Sequence, residues 1–261
     1  MTNSRFSALN SMPPVVKNLL AINIILWLAT AITPTFFKKF GLDIDLTDIL
    51  GLHYWASHRF NPAQLLTYMF MHGGFFHLFF NMFALYMFGA PLEYSWGSKK
   101  FLLYYLVAGL GAGIIQELVW TAEFQSLVNA MDKAIEANSG EGLLVYQNQL
   151  SKIFRFGNLA AFDASSIEEM KQLLVNLPVT IGASGSIFGL LLAFGWLFPQ
   201  VQLFFLFIPV PIRARLAVTI YAVAELFFGV ANFSGDNIAH FAHLGGMLFG
   251  AALLLYWRKK R

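Results

Sequence analysis

The sequence predicts an all-α, polytopic membrane protein: a bundle of six transmembrane helices with an extramembrane helical insertion between helices 3 and 4. Two observations carry that reading. Of 261 residues, 57% are hydrophobic and 12% charged, with a mean hydropathy of +0.61, which is too apolar for a water-soluble globule. The apolar residues also gather into uncharged runs long enough to cross a hydrocarbon layer of about 30 Å at about 1.5 Å per helical residue.

Residues 1–14 are polar and rich in turn formers, a disordered N-terminal lead. Residues 15–120 hold helices 1–3. The first span, Val15 to Ile32, contains Ala29-Thr30-Ala31, which has the form of a signal-peptidase site, but the run is longer than the ~7–15 residues of a signal core and reads as a retained helix. An interfacial loop follows at 33–72, with mixed charges and the aromatics Tyr54 and Trp55. The second span, Gly73 to Pro91, carries His77 and Asn81. The third, Phe101 to Trp120, has Gly109 and Gly113 at the spacing of a close-packing face.

Residues 121–178 break this pattern. They are polar, with helical periodicity at Phe124, Leu127, Val128, Met131 and Ile135, and with Ser166 and Glu169 spaced as a capping box. They predict an extracytoplasmic insertion of two or three short amphipathic helices. Residues 179–261 hold helices 4–6, expected at Thr180 to Phe198, Leu216 to Ala231 and Ile238 to Trp257, with a proline-rich surface turn from Phe204 to Arg215. Arg5, Lys17, Lys99, Lys100, Arg213, Arg215 and the basic end Arg258-Lys259-Lys260-Arg261 fall on one side of this topology. The positive-inside rule therefore places both termini in the cytoplasm and the insertion outside, and the membrane expected is a plasma (inner) membrane.

Composition also excludes chemistry. Cysteine is absent, so there is no disulfide framework, thiol nucleophile or thiolate metal site, and the charge of +3 includes no long basic run to hold nucleic acid. No cofactor motif occurs, no metal is assigned to the site, and no oligomeric state follows. The partners expected are the lipid bilayer and other membrane proteins.

Spans two, four and six all begin at the outer face, and each carries polar groups near that end. His77 and Asn81 share one helix face, Ser184 lies near the start of span four, and His243 lies about one turn into span six. Ser184 and Ser186 differ by about 200° around the helix, so one of them at most faces the bundle interior with the others. Gly185 and Gly189 follow the serine, and Gly246 and Gly250 follow the histidine; facing GxxxG pairs would bring helices 4 and 6 close enough for a Ser–His hydrogen bond. A nucleophile, a base and two donors at one depth are the parts of acyl transfer. The same small residues also serve ordinary helix packing, and the same polar groups can serve an interhelical network for assembly alone. A further alternative groups Asp236, His240 and His243 at i, i+4 and i+7 as metal ligands, which would make a membrane metal-binding protein or metalloprotease.

His77-Leu78-Phe79-Phe80-Asn81, Gly182-Ala183-Ser184-Gly185, and Ala242-His243-Leu244-Gly245-Gly246 with Gly250 together resemble the rhomboid family of intramembrane serine proteases, over about 72–113 and 182–250. The resemblance implies a rhomboid-like six-helix fold and a Ser184/His243 dyad without a third carboxylate. It also implies an oxyanion site made of His77, Asn81 and the Ser184 N–H, with Gly182, Gly185, Phe188, Gly246 and Gly250 shaping the pocket. The implied reaction is hydrolysis of a peptide bond in or near the outer end of a substrate's membrane helix, the substrate being a single-span or other membrane protein. Inactive relatives that only bind membrane proteins typically lose the serine or the histidine, and this chain keeps both. It departs from the family pattern in having Ala63-Gln64 where a Trp-Arg pair is common, Phe188 in place of a frequent tyrosine, and a long 121–178 segment. Glu225 is a carboxyl within a membrane span and hence a functional suspect, outside the catalytic set. His240 reads as an outer-rim histidine, His72 as a cap or loop anchor, and Glu93 and Glu117 as loop anchors.

Overall fold

The computed structural model describes residues 12–205, 208–231 and 238–259. Most of the expected N-terminal lead, Asp236 and the last two basic residues lie outside them. The chain forms two compact units, one of residues 1–52, 61–116 and 180–261, the other of 53–60 and 117–179.

In the first unit, helix α1 (Pro14–Lys38) starts on a proline, whose missing N–H costs nothing at a helix start. The next N–H groups are satisfied from across the fold. Glu93 accepts from the N–H of Val15 at 3.0 Å and of Val16 at 2.8 Å, and from the Ser98 hydroxyl at 2.7 Å. The expected loop anchor is thus a buried helix cap, placing hydrogen-bond acceptors at the positive end of α1. α1 also runs six residues past its expected end at Ile32, to Lys38.

Helix α2 (Phe75–Trp96) carries a π turn over Leu85–Gly89. Pro91 follows after Ala90; it cannot supply the N–H that would reach the Met87 carbonyl, and the wider turn accommodates the gap. Helix α3 (Ser98–Glu136) was expected to stop at Trp120 and does not. From Ile114 to Glu136 the sequence turns polar yet contains neither Gly nor Pro, so polarity changes while the helix continues. Its actual stop is Asn138 at φ 48°, with Asn138 N–H donating to the Ile135 carbonyl and Ser139 N–H to that of Ala134, both at 3.0 Å. That is a Schellman ending with asparagine in the left-handed position.

The second unit has its own core, where Leu127 and Met131 of α3 meet Leu143, Leu159 and the buried face of helix α4 (Ala164–Asn176) at Ile167 and Leu174. The expected capping box is displaced by one turn: Asp163 is the N-cap, accepting from Ser166 N–H at 2.9 Å, so Ser166 sits inside the helix. Hydrogen bonds from the Ser166 hydroxyl and N–H and from the Ser165 hydroxyl hold the Asp163 carboxyl at about 2, below its ordinary 3.8. Because the folded value is the lower one, the cap's contribution is complete above pH ~4 and is lost as pH falls through about 2. Amide exchange at Ser166 should accordingly quicken between pH 4 and 2 relative to mid-helix amides, and Asp163→Ala should remove that pH dependence. Equal pH dependence in both proteins would refute the assignment. In the same unit Glu117, an expected loop anchor, accepts from Trp55 N–H at 2.9 Å.

Back in the first unit, helix α5 (Ser184–Leu197) is shorter than the expected span from Thr180 to Phe198. Its 14 residues rise about 21 Å. Strands β1 (Gln202–Phe205) and β2 (Ile208–Arg213) pair antiparallel where a proline-rich turn was expected. Two strands alone leave each with an edge whose N–H groups need no ladder partner, so Pro209 and Pro211 are tolerated. Helices α6 (Ala214–Ala231) and α7 (His240–Lys259) complete the unit.

Among the described residues, α1, α2, α3, α6 and α7 are long and apolar enough to cross a membrane, and α5 is apolar but shorter. The protein is a multi-pass membrane protein. The predicted glycine faces meet: a Cβ at Gly246 would overlap the Gly185 carbonyl, and one at Gly189 would lie 3.1 Å from the Gly246 carbonyl. A Cβ at Gly250 would strike the Tyr104 hydroxyl, which donates to the Gly189 carbonyl at 2.9 Å. Bare backbone on both helices is what lets α5 and α7 come this close.

Candidate active site

Ser184 is the first residue of α5. Its N–H has no carbonyl one turn back to bond within the helix, and it lies at the positive end of the helix dipole. The turn leading into it is fixed at Gly182, whose N–H donates to the Tyr68 carbonyl at 2.9 Å and whose φ is +133°. That φ strains any residue with a side chain, and a Cβ there would also sit 2.8 Å from His77 Nε2. Gly182 therefore lets the His77 ring approach the backbone just before the serine.

His243, one turn into α7, places Nε2 2.8 Å from Ser184 Oγ. Phe188, one turn along α5, stacks on the His243 ring at 4.3 Å between centroids and 6° between planes. Gly185 and Gly246 permit this approach, as the backbone contact between them shows. Ser186 points elsewhere. It is buried, and its hydroxyl donates to the Tyr105 carbonyl at 2.9 Å.

The two expected oxyanion donors differ in placement. His77 lies beside Gly182, whereas Asn81, buried on the same α2 face, donates from Nδ2 to the His77 carbonyl at 2.8 Å. An amide nitrogen carries two N–H donors, so one remains for another acceptor. His72 does not cap α2, since Gly74 holds the N-cap position; its ring meets that of His77 edge-on at 5.0 Å.

The structure adds a carboxylate to the expected dyad. Glu225 of α6 brings Oε2 to 2.9 Å from His243 Nδ1, and the same oxygen lies 2.6 Å from His240 Nδ1. His240 is buried at this contact rather than on an outer rim. The sequence signal for Glu225 was its position as the acid in an otherwise uncharged span, but its partners sit 15 and 18 residues away on another helix, a relation no local spacing displays. Of the alternative metal group of Asp236, His240 and His243, the first lies outside the described residues. The grouping that the described residues do form is Glu225, His240 and His243, with one ligand atom from each within 4.8 Å of the others.

Chemically, the arrangement is a relay. His243 Nε2 can accept the Ser184 proton only when the ring's own proton is on Nδ1, and there the Glu225 carboxylate receives it as an acceptor. A carboxyl within a membrane helix is costly unless partnered, and the Nδ1 atoms of His240 and His243 both lie within hydrogen-bonding reach of it.

The chain matches the rhomboid domain over residues 59–127 and 144–260. It is similar to RHOMBOID-like protein 2 of Arabidopsis thaliana, 33% identical over 81 residues, which are 30% of this chain and 26% of that protein. It is also similar to RHOMBOID-like protein 6, mitochondrial, of the same organism, 40% identical over 55 residues, 21% of this chain and 18% of that one. An uncharacterized mitochondrial rhomboid protein of Schizosaccharomyces pombe is 26% identical over 213 residues, 75% of this chain and 52% of its own length. The chain thus spans about half or less of the length of these relatives. With the domain matched over most of its residues, on both sides of a gap at 128–143, this chain belongs to the rhomboid family.

Proposed function

We propose that the protein is an intramembrane serine endopeptidase that hydrolyses a peptide bond in or near the outer end of another protein's membrane helix. The observation that carries this reading is the 2.8 Å contact between Ser184 Oγ and His243 Nε2, with Glu225 on the opposite ring nitrogen. His243 takes the Ser184 proton as Oγ bonds to the substrate carbonyl carbon, and the tetrahedral oxygen receives hydrogen bonds from the Ser184 N–H, from His77 and from the second N–H of Asn81. The scissile C–N bond then breaks as His243 returns the proton to the leaving amine. Water, deprotonated by the same ring, attacks the acyl group and frees Ser184. Glu225 keeps His243 in the tautomer that can accept, and Phe188 holds the ring plane.

Substrates are single-span or other membrane proteins met within the bilayer. The charge distribution supports an orientation with both termini in the cytoplasm and residues 121–178 outside. No cofactor takes part in these steps.

The test is purified full-length protein in detergent with a single-span substrate and a fluorophosphonate probe. Cleavage together with labelling at Ser184 supports the reading. An inert protein, or a label on Ser186, refutes it. His77→Ala is expected to lower kcat about 10–1000-fold with the fold intact, and Asn81→Ala to do so within the same range, because each removes an oxyanion donor. Unchanged kcat in both variants would take them out of the site.

A further inference from the structure

Orienting His243 requires one acceptor at Nδ1, yet Glu225 holds two imidazoles on a single oxygen, His243 at 2.9 Å and His240 at 2.6 Å. The second ring meets the carboxylate and not the serine. We propose that Glu225, His240 and His243 form a Zn²⁺ site, and that the ion, when bound, switches the active site off. The binding part stands on these three residues alone; the inhibitory part rests on the Ser184/His243 reading above.

The donor set suits the ion. Two neutral imidazoles and one carboxylate are borderline ligands of the kind Zn²⁺ takes in open three-residue sites, with water in the fourth position. The three ligand atoms already lie within 4.8 Å of one another. Tetrahedral coordination at about 2.0–2.2 Å sets ligand atoms roughly 3.3 Å apart, so each ring retreats from the carboxylate by about half an ångström while the two ring nitrogens settle to the same spacing from a separation within 4.8 Å. Both rings are held in orientation by aromatic stacking, His243 on Phe188 at 4.3 Å and His240 on Phe228 at 5.7 Å. All three side chains are largely shielded, with His240 and His243 each 8% exposed, so little water competes for the ligands. Mg²⁺ and Ca²⁺ require more oxygen ligands than this site offers and should not bind.

The consequence for the serine follows from the tautomer. Neutral imidazole carries one proton. A metal on Nδ1 of His243 moves that proton to Nε2, where the ring becomes a donor to Ser184 Oγ instead of an acceptor. Ser184 then has no base. This differs from a metalloprotease, in which the ion activates the water and its removal stops the reaction: here chelation would restore activity.

The experiment uses full-length protein in detergent, stripped with chelator. Titration with Co²⁺ alone should produce the visible d–d absorption of a low-coordinate site at one ion per chain, displaced by Zn²⁺. The same titration of Ser184→Ala protein should give the same band, since the serine is not a ligand. Zn²⁺ should slow fluorophosphonate labelling of wild-type Ser184 at least about tenfold, and EDTA should restore it. In His240→Ala, and in His240→Asn as a second variant should the first fail to fold, the Zn²⁺ concentration for half-inhibition should rise at least about tenfold, each protein normalised to its own metal-free rate. Absence of the cobalt band, or identical Zn²⁺ response in wild type and the His240 variants, overturns the site. The two readings fail separately: a protein that gives the cobalt band but never labels loses the protease and keeps the metal site, and one that labels identically with and without Zn²⁺ keeps the protease and loses the metal switch.

Discussion

Ser184→Ala is expected to abolish cleavage of a single-span substrate, a fall of roughly 10⁴–10⁶-fold in kcat, while Ser186→Ala retains cleavage. The two serines are neighbours on one short helix, so composition and local polarity do not separate them, but their hydrogen bonds do. Ser184 Oγ faces an imidazole nitrogen at 2.8 Å, and Ser186 Oγ is committed to the Tyr105 carbonyl, against the α3 backbone. Removing the Ser186 hydroxyl leaves a buried carbonyl short of one donor, which costs stability of about 1–3 kcal/mol but no chemistry. Substrate cleavage and thermal unfolding measured on both variants therefore decide the matter. Equal loss of cleavage in two folded proteins would misplace the nucleophile.

Glu225→Gln is expected to lower kcat by roughly 10²–10⁴-fold with KM little changed. The amide keeps the volume of the carboxylate but carries donors as well as an acceptor, so it can favour the His243 tautomer whose proton is on Nε2 and which cannot take the Ser184 proton. Because Glu225 acts through His243 rather than on substrate, the loss should appear in kcat and in the pH profile of labelling, and Glu225→Asp should recover part of it. A kcat equal to wild type in Glu225→Gln would reduce the site to the serine and histidine alone.

These two variants also mark where the sequence was and was not sufficient. The Ser184, His243, His77 and Gly182 positions were legible because each sits in a short motif at the start of a hydrophobic run, and runs entering from one face share a depth. The facing of Gly185 with Gly246 was legible for the same reason, since GxxxG spacing declares a face. Glu225 was visible as an anomaly but not as a partner, because its pairing depends on the rotation of α6 against α7, which no periodicity records. Helix ends misled where polarity was taken for a stop: α3 passes Trp120 without a break and ends only where Asn138 adopts a left-handed backbone. The Ser166 cap failed because Asp163, three residues earlier, takes the N-cap position and accepts from the Ser166 N–H itself, drawing Ser166 into the helix.

The brevity of α5 has a bearing on how hydrolysis can occur in oil at all. A rod of about 21 Å falls short of a slab of about 30 Å, so the remaining depth is met by non-helical backbone packed in the bundle, by thinned lipid or by a wet recess. With Ser184 as its first residue, a recess at this end would be where, on the protease reading, the acyl group meets its water. Hydrophobic mismatch, usually a burden on a membrane helix, would here bring the second reactant to the nucleophile.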